Sequence, residues 1–367
     1  MEIFHNDITV GNVSYISYVI GLYGNSRQTS GMRGEETQTL RVLVRPTNRL
    51  IKVAPGANLL QALLDAKVPV SHSCMAGRCG TCRCRAFGGE VLGHAGESTD
   101  PLHGEGDFVL ACQTYLTEPC TIEIPEADEV VVHPARIAKG SVVSISSLTP
   151  DVMRLVIKPN RPIQYSPGQY LSVDFGSGLV RPYSMATLCT EGQVEFHVRV
   201  VSNGRVSGHI ANHLRIGDLV KLTGPLGTSY LRLKHTGPIL CVAGGTGLAP
   251  ILAIIRGAII EGLRNPIRLY FGVRTRADIY GLRWLEELRR AHPSLDLQVV
   301  CASGGNARNQ RTGLVTTAIE ADTPRLEGWC AYVCGSPPMV EAVTLLIKRL
   351  GIDAGRVYAD AYYPQDP

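Results

Sequence analysis

SCMAGRCGTCRCR, residues 73–85, sets Cys74, Cys79 and Cys82 at the spacing C-x4-C-x2-C, and Cys112 follows 30 residues later. Three thiolates on one tight loop let backbone N–H groups face the sulfurs, and a fourth from a neighbouring strand closes a tetrahedral iron cage. Gly77 and Gly80 let the backbone turn closely around the metal. This is the ligand spacing of a two-iron two-sulfur cluster. Zinc ribbons normally show two C-x2-C pairs, and only one is present here once Cys84 is set aside. Cys84, Cys120, Cys189, Cys241, Cys301 and Cys330 read as small core hydrophobes.

The surroundings of that loop predict a small α+β domain over residues 39–127. TLRVLV and LIKV alternate around RPTN as a hairpin, and NLLQALLDA puts Leu59, Leu60, Leu63 and Leu64 on one helical stripe behind an Asn58 cap. EVLG, FVLACQTYL and CTIEIP read as further strands, and EADEVVVHPARIAKG as a linker. Closely spaced strands from SVVSISSL to LVKLTGPLG predict an antiparallel barrel over residues 134–234. From residue 235 to 367 the texture alternates strand, glycine-rich turn and helix, which predicts a parallel α/β sheet.

Composition excludes several classes. Eleven cysteines in 367 residues would suggest a disulfide scaffold, but no secretory signal opens the chain, so they point to redox or metal chemistry in a reducing cytoplasm. The formal charge of +4 comes without a basic run interleaved with aromatics, so no nucleic-acid partner is expected. Residues 8–23 are apolar but short and interrupted by Gly, Asn and Ser, so no membrane span is expected. Residues 1–38 lack periodicity and read as a tail, flexible or the product of an over-long gene start, with Met32 as an alternative start.

Two further motifs carry chemistry. RPYSMA (181–186) and Gly204-x-x-Ser207 offer a cation, a close backbone and a hydroxyl for a diphosphate through Arg181, Gly204 and Ser207. Tyr183 and Ser184 offer a flavin ring an aromatic face and a hydrogen bond. GGTGLAP (244–250) opens a helix after the strand PILCVA, so Gly245, Thr246 and Gly247 suit a dinucleotide phosphate. CGSPPM (334–339) follows the last sheet strand, where Cys334 is either buried or functional, and YADAYYP ends the chain.

In combination these stretches resemble the ferredoxin–NADP reductase superfamily in its three-domain form. More narrowly, the chain from residue 39 onward looks like the reductase component of naphthalene-type ring-hydroxylating dioxygenases. The likeness rests on SCMAGRCGTCRCR, EADEVVVHPARI, RPYSMA, HTGPILCVAGGTGLAP, YFGVRT and YADAYYP. It implies a β-grasp ferredoxin domain, a flavin barrel and a nucleotide domain, with cofactors 2Fe-2S, FAD and NADH, NADPH being a second donor. It implies FAD contacts at Arg181, Ser207, Tyr183, Ser184 and Tyr362, a dinucleotide at Gly245 and Gly247, and Cys334 beside the nicotinamide. The superfamily often ends in Glu-x-aromatic, where this chain has Asp360-Ala361-Tyr362.

The expected path is NADH to FAD to cluster to a Rieske-type ferredoxin serving a dioxygenase, carried out by a monomer. Plant-type clusters lie near about −400 mV and Rieske centres at roughly −150 mV or above, so the last transfer falls by ~250 mV, about four decades. Direct reduction of an oxygenase, or a non-catalytic electron-transfer subunit, are the rival readings. Arg274 and Arg276 after IRLYFGV are candidate partners for a 2′-phosphate.

Overall fold

The computed structural model describes residues 39–68, 70, 82–93, 106–124, 133–304 and 310–362. Cys74, Cys79 and the tail before residue 39 therefore lie outside the described residues.

Strands β1 (Leu40–Arg45) and β2 (Arg49–Val53) form the expected hairpin, with Leu40, Val42, Val44, Ile51 and Val53 turned inward. After β3 (Ala57–Asn58), helix α1 (Leu59–Asp65) starts where Asn58 Oδ1 accepts the Gln61 N–H at 3.2 Å. Leu59, Leu60 and Leu63 are fully buried, each contributing roughly 1.5–3 kcal/mol of transfer free energy. Next come β4 (Arg83–Phe87), β5 (Val91–Leu92), β6 (Asp107–Leu110), β7 (Tyr115–Leu116) and β8 (Cys120–Glu123). The five-stranded sheet runs β2-β1-β8-β4-β6, parallel only between β1 and β8, and β3-β7-β5 form a small second sheet. FVLACQTYL is not one strand: a 3-10 turn over Ala111–Gln113 interrupts it, and Cys112 sits in that turn. The Thr114 hydroxyl donates to Leu110 O at 2.9 Å and holds the turn closed.

The second sheet contains β9 (Arg136–Thr149), β10 (Val152–Pro159), β11 (Tyr170–Asp174), β12 (Val180–Ser184), β13 (Val194–Arg199) and β14 (Leu219–Leu226), with helix α2 (Arg205–Asn212) between the last two. Its order is β12-β11-β14-β9-β10-β13, every pair antiparallel. The linker expectation is corrected here, because residues 136–140 already belong to β9 and pair with β14. Beyond β12 the chain meets β13 through a Met185–Phe196 bridge and an Ala186 N–H bond to Glu195 O at 2.9 Å. Phe196, Leu155, Ile157, Leu171 and Leu222 fill the interior with no exposure.

The third sheet is parallel throughout. Its elements are β15 (Ile239–Gly244), α3 (Leu248–Ile260), β16 (Ile267–Val273), α4 (Leu282–Ala291), β17 (Leu295–Cys301), β18 (Gln310–Thr312), α5 (Val315–Asp322), β19 (Cys330–Gly335), α6 (Pro337–Arg349) and β20 (Val357–Ala361). The order β18-β17-β16-β15-β19-β20 reverses direction between β15 and β19, with separate apolar clusters built on the two faces. Ligands of such sheets bind at the carboxyl ends beside that switch point.

Candidate functional site

At that switch point a cavity of about 1300 Å³ opens between the carboxyl ends of β15 and β16, strand β12 and the start of α2. It brings together Arg181, Tyr183, Ser184, Gly204, Ser207, Gly245, Thr246 and Tyr362 on one wall system. Gly247 and Cys334 are not on that wall; both are buried beneath it.

Helix α2, which the sequence reading did not foresee, explains the Gly204-x-x-Ser207 pattern. Gly204 is its N-cap, and a Cβ there would lie 2.4 Å from Val201 and 2.5 Å from the Ser207 hydroxyl. The Ser207 hydroxyl accepts the Val201 N–H at 3.2 Å, pinning the loop to the first turn. The helix N-terminus, with Arg205 and Arg181 beside it, gives this end of the cavity the character of an anion site. Tyr183 rests edge-on against Phe175 at 6.5 Å and near Phe196 at 6.0 Å, and burial raises its phenol pKa.

The far wall comes from the chain end. Within YADAYYP, Val357–Ala361 completes the sixth parallel strand, which carries Asp360 and the following Tyr362 to the cavity. The Ser184 hydroxyl donates to Asp360 Oδ2 at 3.0 Å, and the Tyr362 hydroxyl donates to Ser184 Oγ at 3.4 Å. Burial raises the Asp360 carboxyl, against the lowering effect of the Ser184 bond. Cys334 is fully buried; burial first, and the nearby Asp360 second, raise its thiol and keep it protonated.

The glycine turn has two separate requirements. Gly245 adopts φ +55°, and a Cβ there would meet the Arg199 guanidinium at 3.0 Å. At Gly247 a Cβ would lie 2.1 Å from Cys334 O, so this glycine serves packing of the turn onto β19 rather than approach of a ligand. Tyr280 donates to Gly245 O at 3.3 Å and shares a 3.0 Å hydrogen bond with the buried His197, holding the turn from behind.

Sequence reasoning also missed Asp151, which lies in the β9–β10 turn without a motif around it. Its Oδ2 takes bonds from both Arg199 and Arg274, each at 2.8 Å, and Arg274 also reaches Asp278 at 3.3 Å. Arg274 is thus held by two carboxylates, whereas Arg276 is exposed and paired with no carboxylate among the described residues.

Of the four cysteines expected to hold a metal, Cys82 and Cys112 are described and buried. The Cys112 N–H points at Cys82 Sγ at 3.4 Å, and the Gln113 amide donates to Cys112 Sγ at 3.6 Å. Donors aimed at both sulfurs suit thiolate ligands of iron. Cys84, Cys120, Cys241, Cys301 and Cys330 are buried core residues as expected, while Cys189 is half-buried; burial pushes the Cys120 thiol up to about 11.

Comparison with known proteins matches residues 42–117 to a 2Fe-2S iron-sulfur cluster binding domain, 139–230 to an oxidoreductase FAD-binding domain and 241–344 to an oxidoreductase NAD-binding domain. The chain is 52% identical to the reductase component of the naphthalene 1,2-dioxygenase/salicylate 5-hydroxylase systems of a Ralstonia species, over 89% of this chain and 99% of that one. It is 50% identical to the naphthalene 1,2-dioxygenase system reductase component of Pseudomonas putida, with the same coverage. Among solved structures, an Amycolatopsis cytochrome P450 reductase superposes with a TM-score of 0.66 at 33% identity, over 89% of this chain and 99% of its own. The chain therefore belongs to the family of ferredoxin–NAD(P)+ reductase components, with 2Fe-2S, FAD and NAD domains in that order, that includes those of the naphthalene dioxygenase systems.

Proposed function

We propose that this oxidoreductase passes electrons from NADH, and less well from NADPH, to a Rieske-type ferredoxin that feeds an aromatic ring-hydroxylating dioxygenase. The observation that carries the reading is the shared cavity, whose walls come from β12 and α2 on one side and from the glycine turn and chain end on the other. FAD bound there would exchange an electron pair with the nicotinamide, and the 2Fe-2S cluster would carry electrons singly.

The residues present fit these groups. The α2 N-terminus, Arg181 and Ser207 suit a diphosphate, and Tyr183 gives a ring an aromatic neighbour. Gly245 and Thr246 would line the dinucleotide, and Tyr362 would close the cavity opposite Ser184. Gly247 and Cys334 would support that surface from below. Ser184 and Asp360 form a hydrogen-bonded pair whose carboxyl can hold a proton, since burial favours its neutral form. Cys74, Cys79, Cys82 and Cys112 would hold the cluster.

We place the domains at residues 39–127, 134–234 and 235–367, and read them as a β-grasp fold, a β-barrel closed beyond β12 and β13, and a doubly wound sheet. The enzyme would act as a monomer in the cytoplasm; among the described residues no helix is long and apolar enough to cross a membrane. The test is direct: NADH should bleach the flavin absorbance, and a purified Rieske ferredoxin should then be reduced. Bleaching without ferredoxin reduction, but with reduction of an oxygenase, would assign the direct two-component path instead.

A further inference from the structure

The five-stranded sheet has one face on its core and one in solvent. Leu40, Val42 and Val44 pack inward with α1, so Arg41, Leu43 and Arg45 point outward, and no described helix lies over them. The strand register arranges the outer face in rows. Lys52 lies opposite Arg41. Leu50, Leu43, Thr121 and Phe87 cross four strands in the next row. Arg45, Glu123, Arg85 and Phe108 form the third, and Arg83 beside Leu110 the last.

This pattern is that of a contact surface: an apolar row flanked by charged ones. Leu50 is 54% exposed and Phe108 47%, large values for such side chains. The cations Lys52, Arg41, Arg45, Arg83 and Arg85 share the described face with one carboxylate, Glu123, which Arg85 approaches only to 3.9 Å. Arg83 lies over the Phe108 ring at 3.7 Å, so its guanidinium is held by stacking, while Arg85 is paired with Glu123 and the positive character of the face rests on Lys52, Arg41, Arg45 and Arg83. The face ends at the metal ligands: Arg83 follows Cys82 directly, and Leu110 precedes Cys112 by two residues.

We propose that this face docks an acidic, one-electron-accepting iron–sulfur protein, whose carboxylates meet the outer rows and whose apolar patch meets the Leu50–Phe87 row. The proposal rests on the electron path proposed above. A continuous polyanion fits less well, because the apolar row splits the cations into bands ~13 Å apart at the usual rise per residue. A width of ~19 Å across five strands suits the small, short-lived contacts of redox partners.

The test uses the holoenzyme carrying Arg41→Glu, Arg45→Glu and Lys52→Glu, with two acceptors: a purified Rieske-type ferredoxin of acidic isoelectric point, and cytochrome c, which is basic. At low ionic strength kcat/KM for the acidic ferredoxin should fall about tenfold or more, and the gap should close as salt screens the charges. Reduction of cytochrome c should hold or rise, and flavin bleaching by NADH should not change. An unchanged kcat/KM for the ferredoxin at low salt would overturn the proposal, as would an equal loss with both acceptors while the cluster's absorbance is intact. Loss of affinity for a DNA oligonucleotide with unchanged ferredoxin reduction would give the face to nucleic acid and also overturn it. If the triple variant loses its cluster, Lys52→Glu alone carries the same test at about two- to threefold amplitude. Failure of the parent protein to bleach with NADH would count against the electron path and not against the docking face.

Discussion

The Ser184 hydroxyl donates to Asp360 Oδ2 at 3.0 Å, tying the RPYS strand of the flavin-type sheet to the last strand of the parallel sheet across 176 residues of sequence. Both residues also line the cavity, so this bond sits where the two sheets share a wall. A small hydroxyl and a shortened acid are thereby fixed in relation to each other by two separate folds.

Ser184→Ala should slow flavin bleaching by NADH by about 10- to 100-fold, the worth of one hydrogen bond to an ionisable group. Bound FAD, measured by absorbance after gel filtration, should stay at the parental level. Loss of FAD would make Ser184 a binding residue and nothing more.

Asp360→Asn should stabilise the fold in a pH-dependent way. The folded-state carboxyl is raised by burial, so its contribution to stability is complete below the ordinary carboxylate range and is lost as pH rises through the raised value. The neutral amide has no such penalty. The Tm of the variant relative to the parent should therefore climb across that window and level off above it. A Tm difference that ignores pH would contradict the assignment.

Nucleotide choice should rest on Arg276 rather than Arg274. Arg274 is held by Asp151 and Asp278, while Arg276 stands exposed. Steady-state kinetics should give a higher kcat/KM for NADH than for NADPH. Arg276→Ala should lower the NADPH value several-fold and leave the NADH value near the parental one. If NADPH proves the better donor, or if only Arg274→Ala changes the ratio, the pocket is misassigned.

Gly247→Ala should destabilise the parallel sheet by ~1–3 kcal/mol, because the new Cβ would press on Cys334 O at 2.1 Å and backbone must move. Urea unfolding should register the loss. A variant as stable as the parent would mean that the turn is looser than its packing implies.

How much of this was legible in the sequence follows from the range of the forces involved. The Asn58 cap, the Leu59–Leu63 stripe and the strand–glycine–helix unit around Gly245 are local, and local pattern sufficed. The turn at Cys112 was read as strand because FVLACQTYL has the composition of one; the 3-10 geometry depends on Thr114 reaching Leu110 O. Helix α2 hid in a polar stretch whose apolar stripe is reduced to Val206, Ile210 and Leu214. The split roles of Gly245 and Gly247 look identical in sequence, since the distinction lies in which backbone each one meets. Asp151 left no trace at all, because its partners Arg199 and Arg274 stand 48 and 123 residues away.

The central claim is that electrons pass through flavin and cluster in series, and Cys112→Ser tests it most directly. The 3-10 turn that carries Cys112 is separate from the cavity, and a serine hydroxyl is a poorer ligand for iron than a thiolate, so cluster should be lost or weakened while FAD stays bound. Stopped-flow measurement with NADH should show flavin bleaching at the parental rate, with ferricyanide still reduced and reduction of a Rieske-type ferredoxin falling to background. Ferredoxin reduction at the parental rate without cluster would mean that electrons leave from the flavin, and loss of flavin bleaching with FAD still bound would mean that the cluster region helps build the site of nicotinamide oxidation. Either result would contradict the serial path.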